Sequence, residues 1–139
     1  MYKDLGVWVD HELKFHLHVR ETAMKANGVG FGILTGTLCR SPEFMRAVFI
    51  THIRPILDYS SVVWNTGYLS DLRLLEDVQR RWTKQISGFR ILNYSERLST
   101  LKLYSIKGHL LTVDLIMVYK IVHGLCPDLD NLFVWNIDG

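Results

Sequence analysis

Five cations lie close together near the middle of the chain, and the chemistry they could support is the binding of negative charge. The stretch 72–88 reads LRLLEDVQRRWTKQISG and is followed by a further arginine two residues later. Guanidinium and ammonium groups neutralise phosphates whatever the base, so such a cluster could hold a nucleic-acid backbone. The basic residues are Arg73, Arg80, Arg81, Lys84 and Arg90.

The spacing of the apolar residues predicts that this stretch is a helix over residues 71–87, ended by Gly88. At 100° per residue, Val78, Trp82 and Ile86 fall within about 60° of Leu75, which defines a core side and makes Trp82 a core residue. The opposite side, between about 140° and 180°, carries Arg73, Arg80 and Lys84, with Arg81 beside them.

A charged outer face is also what an ordinary surface helix shows. Glu76 is four residues before Arg80, and Asp77 is four residues before Arg81, so both pairs could form helical ion pairs. The residues alone therefore leave two readings open, a solvated helix face or a surface that follows a phosphate backbone.

The charge and the composition limit the class of protein. The segment 71–109 holds eight basic and four acidic residues, whereas the rest of the 139-residue chain holds eight basic and ten acidic ones, so the positive charge is local. A hydrophobic fraction of 48% is enough for one folded domain. Two distant cysteines and no apolar run of about 20 residues indicate an intracellular protein that does not span a membrane.

Other candidate sites in the sequence are weak. His11, His16 and His18 lie near one another, but with Glu12 as the only nearby carboxylate they are better read as solvated histidines than as a metal site. The glycine-rich GVGFG at 28–32 has no strand before it, as a phosphate loop would require. The chain contains no Asp-Asp pair. We therefore predict no catalytic residue and no metal site.

The remaining patterns predict a mainly α fold, a bundle of about five helices with a short N-terminal β-strand or hairpin. Residues 5–9 predict a strand that needs a partner, and residues 15–38 predict a long helix weakened by glycines. Ser41 and Pro42 predict a helix start, and Pro55 predicts a kink or end near Arg54. The predicted core residues of that region are Phe44, Ala47, Val48, Thr51, Ile53, Tyr59 and Trp64.

Two further helices are predicted in the C-terminal half. Ser95 would cap a short one, and Ser105 would cap a long one from about residue 106 to 122. The apolar side of the long helix is predicted to contain Leu110, Leu111, Asp114, Leu115, Val118 and either Ile121 or Val122.

Four segments together resemble one known family. They are KDLGVWVD (3–10), THIRPILDYSSVVWNTGY (51–68), the stretch 72–88, and YSERLSTLKLYSIKGHLLTVDLIMVYKIVHG (94–124). In this order they resemble the region after the catalytic palm in reverse transcriptases of LINE-type (non-LTR) retrotransposons. The resemblance covers about residues 2–124.

The resemblance implies an organisation and a set of partners. Residues 1–12 would be a remnant of the last palm strand, 13–124 a helical thumb-like domain, and 125–139 a loosely held tail. The catalytic aspartates and the Mg²⁺ that they bind would lie upstream of this chain. The expected partners are an RNA/DNA template–primer duplex and the palm and fingers of the parent polymerase, in the nucleus.

A thumb beside a duplex should present a basic, sequence-indifferent surface. The five cations match that requirement, and the resemblance suggests that Lys102, Lys107 and His109 extend it. Two alternatives remain, a helical protein-interaction module whose charged face is only solvated, and a non-functional relic that folds poorly.

Overall fold

The computed structural model describes residues 2–9, 15–59, 61 and 68–125, and within them the chain is mainly helical. In the elements whose bounds these residues define, five helical stretches follow a short two-stranded antiparallel sheet, which confirms the predicted fold class. The tail from residue 126 onward and Trp64 lie outside the described residues, so the predictions made for them are not addressed by this structure.

The N-terminal strand has its partner directly before it. Strand β1 (Tyr2–Asp4) pairs antiparallel with strand β2 (Val7–Val9), with Lys3 opposite Trp8. The connecting residues Leu5 and Gly6 both have positive φ, 45° and 85°, which is the backbone of a type I′ hairpin turn. The predicted strand over 5–9 is therefore shorter than expected, because its first two residues form the turn.

Helix α1 (His16–Gly36) confirms the predicted long helix and packs against helix α4 (Leu69–Lys84). Gly30 lies where the two helices meet, and a Cβ atom placed there would be 3.4 Å from the ring of Trp82. The Trp82 ring is 4% exposed, and its Nε1 donates to the backbone oxygen of Met45 at 2.9 Å. Trp82 is thus a core residue, as the helical spacing predicted.

The second helical stretch continues through Pro55, where the sequence predicted a kink or an end. Helix α2 (Pro42–Val48), capped by Ser41, leads into a π-helical turn (Phe49–Ile53) and then into helix α3 (Arg54–Asp58). The Arg54 backbone N–H donates to the Phe49 oxygen, five residues earlier. Pro55 has no backbone N–H to donate to the preceding turn. The π turn widens the helix just before Pro55, so the proline is accommodated.

The core face of this stretch differs from the predicted one. The fully buried residues are Met45, Phe49, Ile53 and Leu57. Ala47 and Thr51 are exposed, and Phe44 and Val48 are only partly buried, so of the predicted set only Ile53 is fully buried. The π turn explains this difference. Its wider winding keeps residues that are four positions apart on the same side of the helix over several turns.

Tyr59 was also predicted to be in the core, but its side chain is 54% exposed. Its hydroxyl donates to the Leu5 backbone oxygen at 2.7 Å, and its ring lies against Gly6. Tyr59 therefore attaches the hairpin to the end of α3. A tyrosine whose hydroxyl donates to a backbone oxygen can serve this role at the surface without being buried.

Helix α5 (Tyr94–Leu101) starts two residues earlier than predicted. Its cap is Asn93, whose side chain accepts from the Glu96 N–H at 2.9 Å while the Glu96 carboxylate accepts from the Asn93 N–H at 2.8 Å. This reciprocal capping box satisfies two backbone donors, so Asn93 caps the helix instead of Ser95.

Helix α6 (Ile106–Val122) begins at the predicted cap, where Ser105 Oγ accepts from the Gly108 N–H at 3.1 Å. Only Ile106 and Leu110 of this helix are buried. Beyond Leu110 the predicted apolar side is therefore not buried in the core, since four of its members are exposed. These are Leu111, Leu115, Val118 and Val122.

Candidate nucleic-acid interface

Helix α4 separates its apolar and basic residues as its sequence predicted. Leu75, Val78 and Trp82 are buried on the side that faces the core. Residues on the reverse side are exposed to solvent, among them Arg73, Arg80 and Lys84. Because these three are spaced by seven and four residues, they form one stripe along the helix. We call Arg73, Arg80, Arg81 and Lys84 the outer basic face.

The two carboxylates of α4 do not pair as expected. Asp77 Oδ1 lies 3.4 Å from Arg80 Nη1, an i,i+3 contact in place of the predicted pair with Arg81. Glu76 is not paired with Arg80 at all, because it turns toward the start of α6. Its oxygens accept from the Ile106 N–H at 3.0 and 3.2 Å. A carboxylate at a helix N-terminus satisfies free N–H groups and complements the helix dipole.

Because Glu76 points toward α6, its negative charge is not part of the outer basic face. Asp77 is the acidic residue that remains among the four cations of the outer basic face, and it contacts only Arg80. Within the described part of the chain, the side chains of Arg73, Arg81 and Lys84 form no ion pair or hydrogen bond. Three of the four cations are therefore free to meet an external anion.

Arg80 is more constrained than its neighbours. Its guanidinium lies over the ring of Tyr94 at 4.8 Å, and the guanidinium of Arg97 lies 5.5 Å from the same ring. The Tyr94 hydroxyl donates to Glu76 and accepts from Gln79 Nε2 at 2.9 Å. Burial and the neighbouring Glu76 raise the pKa of Tyr94, so the hydroxyl stays protonated and keeps donating.

Arg81 faces a different neighbourhood from the rest of the stripe. It borders a groove of about 280 Å³ between α1 and α4, together with Phe31, Leu34 and Trp82. Arg81 is exposed at the edge of a mainly apolar groove that Asn27 and Gln85 also line. An external ligand there would meet one cation beside an apolar surface.

Arg90 does not belong to the stripe. It follows the turn at Gly88, where φ is +80°, and it lines a shallow cavity of about 270 Å³ with Ser87 and Ile91. Arg40 lines the same cavity, but its guanidinium already donates to three backbone oxygens at the end of α1. Arg90 is exposed and stands as a separate cation at the end of α4.

Lys102 and Lys107 are exposed and come from two other elements. Lys102 is the left-handed C-cap of α5, with φ 54°, and Lys107 lies in the first turn of α6. Lys107 is next to the Glu76 contact, since its backbone N–H points to the same carboxylate at 3.4 Å. His109 is not an exposed extension of the surface, because it is partly buried and its Nε2 lies 2.7 Å from Asp58 Oδ2.

Two residues that matter here were not singled out by the sequence. Tyr94 holds Arg80, and Arg97 is a buried cation, 3% exposed, whose Nε donates to Thr83 Oγ1 at 3.0 Å. Arg97 therefore contributes to the core and not to the surface charge of the segment 71–109. Periodicity along one helix carries no signal for such contacts, because they join residues of different helices.

The described residues offer no set of three or more His, Cys, Asp or Glu side chains that could hold a metal ion. His16 Nδ1 lies 2.7 Å from Asp71 Oδ2, and His18 lies beside Thr22, while His11 is outside the described residues. The Mg²⁺ that the family resemblance implies is expected upstream of this chain, so no chemical step is assigned to it.

Among the described helices, none is both long enough and apolar enough to cross a membrane. The chain was also compared with known proteins. Neither the models of protein families, nor the curated proteins, nor the solved structures gave a match to it.

Proposed function

We propose that this chain is the thumb-like region of a LINE-type reverse transcriptase and that its outer basic face contacts the backbone of the template–primer duplex. The proposal combines the order of the four sequence segments with a helical fold that carries exposed cations on one side of α4. It assigns no catalytic residue to the chain, which has no Asp-Asp pair.

The observation that supports it best is the low number of compensating acids on the outer basic face. Between Arg73 and Lys84 the helix rises about 16 Å, a length over which a duplex carries on the order of ten phosphate charges. The cations along this length meet one exposed carboxylate, that of Asp77. A surface of this kind suits a contact that follows a backbone without reading bases.

The experiment is a salt titration of binding to an RNA–DNA hybrid. We expect the logarithm of the association constant to fall with the logarithm of the KCl concentration, with a slope near −3 for three to four phosphate contacts. Substituting Ala for Arg80, Arg81 and Lys84 should make the slope shallower by about two to three units.

A matched control removes the same charge elsewhere. Arg20, Lys25 and Lys120 are exposed and lie on α1 and α6, so their triple Ala variant changes the net charge equally. It should keep most of the slope. Equal slopes for the two triple variants would mean that only net charge matters, and absence of binding at low salt would reject the proposal.

One observation favours a second function, that of a helical protein-interaction module. Large apolar side chains are exposed along α6 from Leu111 onward, although a helix that presents apolar residues to solvent usually has a partner. An interaction module would bind no hybrid at low salt, and the two triple variants would then behave alike.

A further inference from the structure

A cavity of about 410 Å³ lies between the N-terminal hairpin, α1 and α3, and each of these elements supplies one wall. None of the residues of the outer basic face lines it. Its size is in the range that holds small-molecule ligands, whereas a nucleic-acid duplex is too wide to enter it. We call it the hairpin cavity.

The innermost polar groups of the hairpin cavity come from α1. His18 and Thr22 are one helical turn apart, line the cavity and are only 6% and 7% exposed. Thr22 Oγ1 lies 3.4 Å from His18 Nε2. Burial lowers the pKa of His18, so its ring is neutral at pH 7. The buried end of the cavity therefore offers hydrogen-bonding groups without a charge.

Two exposed lysines at the rim supply positive charge. Lys25 shares one face of α1 with His18 and Glu21, because these positions are three and four residues apart, while Lys3 comes from β1. Among the residues that the structure describes, neither ammonium group has an ion-pair or hydrogen-bond partner. Glu21 is the acid among the lining residues, so the cationic groups exceed the acidic ones by one.

Two aromatic rings from different elements line the same cavity. Trp8 on β2 donates from its Nε1 to the Glu21 carboxylate, and Lys3 lies 5.5 Å from the centre of its ring. Tyr59 at the end of α3 donates from its hydroxyl to the Leu5 oxygen at 2.7 Å. Because each ring is held through its polar edge, its apolar surface stays available for a flat ligand.

We propose that the hairpin cavity binds a small aromatic phosphate, that is, a molecule with a flat ring system and one phosphate group. The ring would pack against Trp8 and Tyr59, and the phosphate would pair with Lys3 and Lys25. A phosphate monoester carries a charge of about −1.5 to −2 at pH 7, which two ammonium groups match. The site uses neither the outer basic face nor the sequence resemblance, so it does not rest on the proposed function.

The test is calorimetric titration of the full chain with 1-naphthyl phosphate, 1-naphthol and inorganic phosphate. We expect a Kd of about 10–100 µM for 1-naphthyl phosphate. The other two probes should bind at least about 10-fold more weakly, because each offers only one of the two kinds of contact. Absence of binding at about 1 mM 1-naphthyl phosphate, or equal affinity for it and either partial probe, would overturn the proposal.

Lys25→Gln should weaken the binding of 1-naphthyl phosphate by at least about 5-fold and leave that of 1-naphthol unchanged. Arg20→Gln is the matched control, because Arg20 is also exposed on α1 but lies about 140° from Lys25 around the helix and does not line the cavity. It should change the affinity by less than about 2-fold. Equal effects of the two substitutions would contradict a phosphate contact in this cavity.

The indole N–H signals of the nuclear magnetic resonance spectrum locate the ligand. The chain has four tryptophans, and the signal of Trp8 is the one that Trp8→Phe removes. Addition of 1-naphthyl phosphate should shift the Trp8 signal and leave that of Trp82, whose ring is buried and donates to the Met45 oxygen. A Trp8 signal that does not move, or that moves no more than the Trp82 signal, would overturn the proposal.

Discussion

Glu76 on α4 accepts a hydrogen bond from the backbone N–H of Ile106, the first residue of α6, at 3.0 Å. The same carboxylate accepts from the Tyr94 hydroxyl, so one acidic side chain joins three helices. This contact also removes Glu76 from the outer basic face. The relationship therefore links the stability of the bundle to the charge of its surface.

Glu76→Ala should destabilise the chain by about 1–3 kcal/mol, because it leaves a helix N-terminus and a partly buried hydroxyl without their acceptor. Urea unfolding measures this change. Asp77→Ala is the control, since Asp77 is the adjacent acid and makes only an exposed contact, and it should change stability by no more than about 0.5 kcal/mol. Equal effects of the two substitutions would refute the capping role.

Trp82→Ala should cost about 3–5 kcal/mol, because the ring is buried where α1, α2 and α4 meet. Trp82→Phe should cost less, since it keeps an aromatic ring and loses mainly the bond from Nε1 to the Met45 oxygen. Thermal and urea unfolding of the two variants check this order. A change near zero for the Ala variant would show that the ring does not support the core.

Gly28 and Gly30 are two residues apart on α1 and should respond differently to Ala. A Cβ at Gly28 would have nothing within 4 Å, so Gly28→Ala should stabilise the helix by about 0.5–1 kcal/mol. A Cβ at Gly30 would touch the Trp82 ring at 3.4 Å, so Gly30→Ala should gain less or lose stability. An equal gain at both positions would mean that α1 and α4 do not pack closely.

The stability should also fall in mild acid. Burial lowers the pKa of His18 below its ordinary value of 6.5, so the unfolded chain takes up a proton before the folded chain does. The free energy of unfolding should therefore decrease as the pH falls through about 6.5 toward the lowered pKa. His18→Gln should reduce this dependence between pH 7.5 and 5, and an unchanged pH profile would argue against the buried neutral histidine.

Residues within one helix were the most predictable part of this structure. The two sides of α4 follow from the spacing of Leu75, Val78 and Trp82, because burial of one face of a helix imposes its period on the sequence. The caps at Ser41 and Ser105 were predictable for a similar reason, since a hydroxyl at that position satisfies a free N–H.

Contacts between helices, and any departure from regular winding, were not predictable. The π turn at 49–53 changes which residues face the core, and nothing in the local sequence except Pro55 points to it. The apolar residues of α6 lie on several sides of the helix, so their spacing could not show which of them the domain covers. The partner of Glu76 is 30 residues away, beyond the reach of a helical pattern.

The most direct measurement of the central claim is the affinity of the full chain for an RNA–DNA hybrid at fixed ionic strength after charge reversal. Arg73→Glu with Lys84→Glu places two acids on the outer basic face, whereas Arg20→Glu with Lys25→Glu makes the same change in net charge on α1. We predict that the first variant loses at least about 10-fold in affinity and the second less than about 3-fold. Equal losses in the two variants would contradict the account.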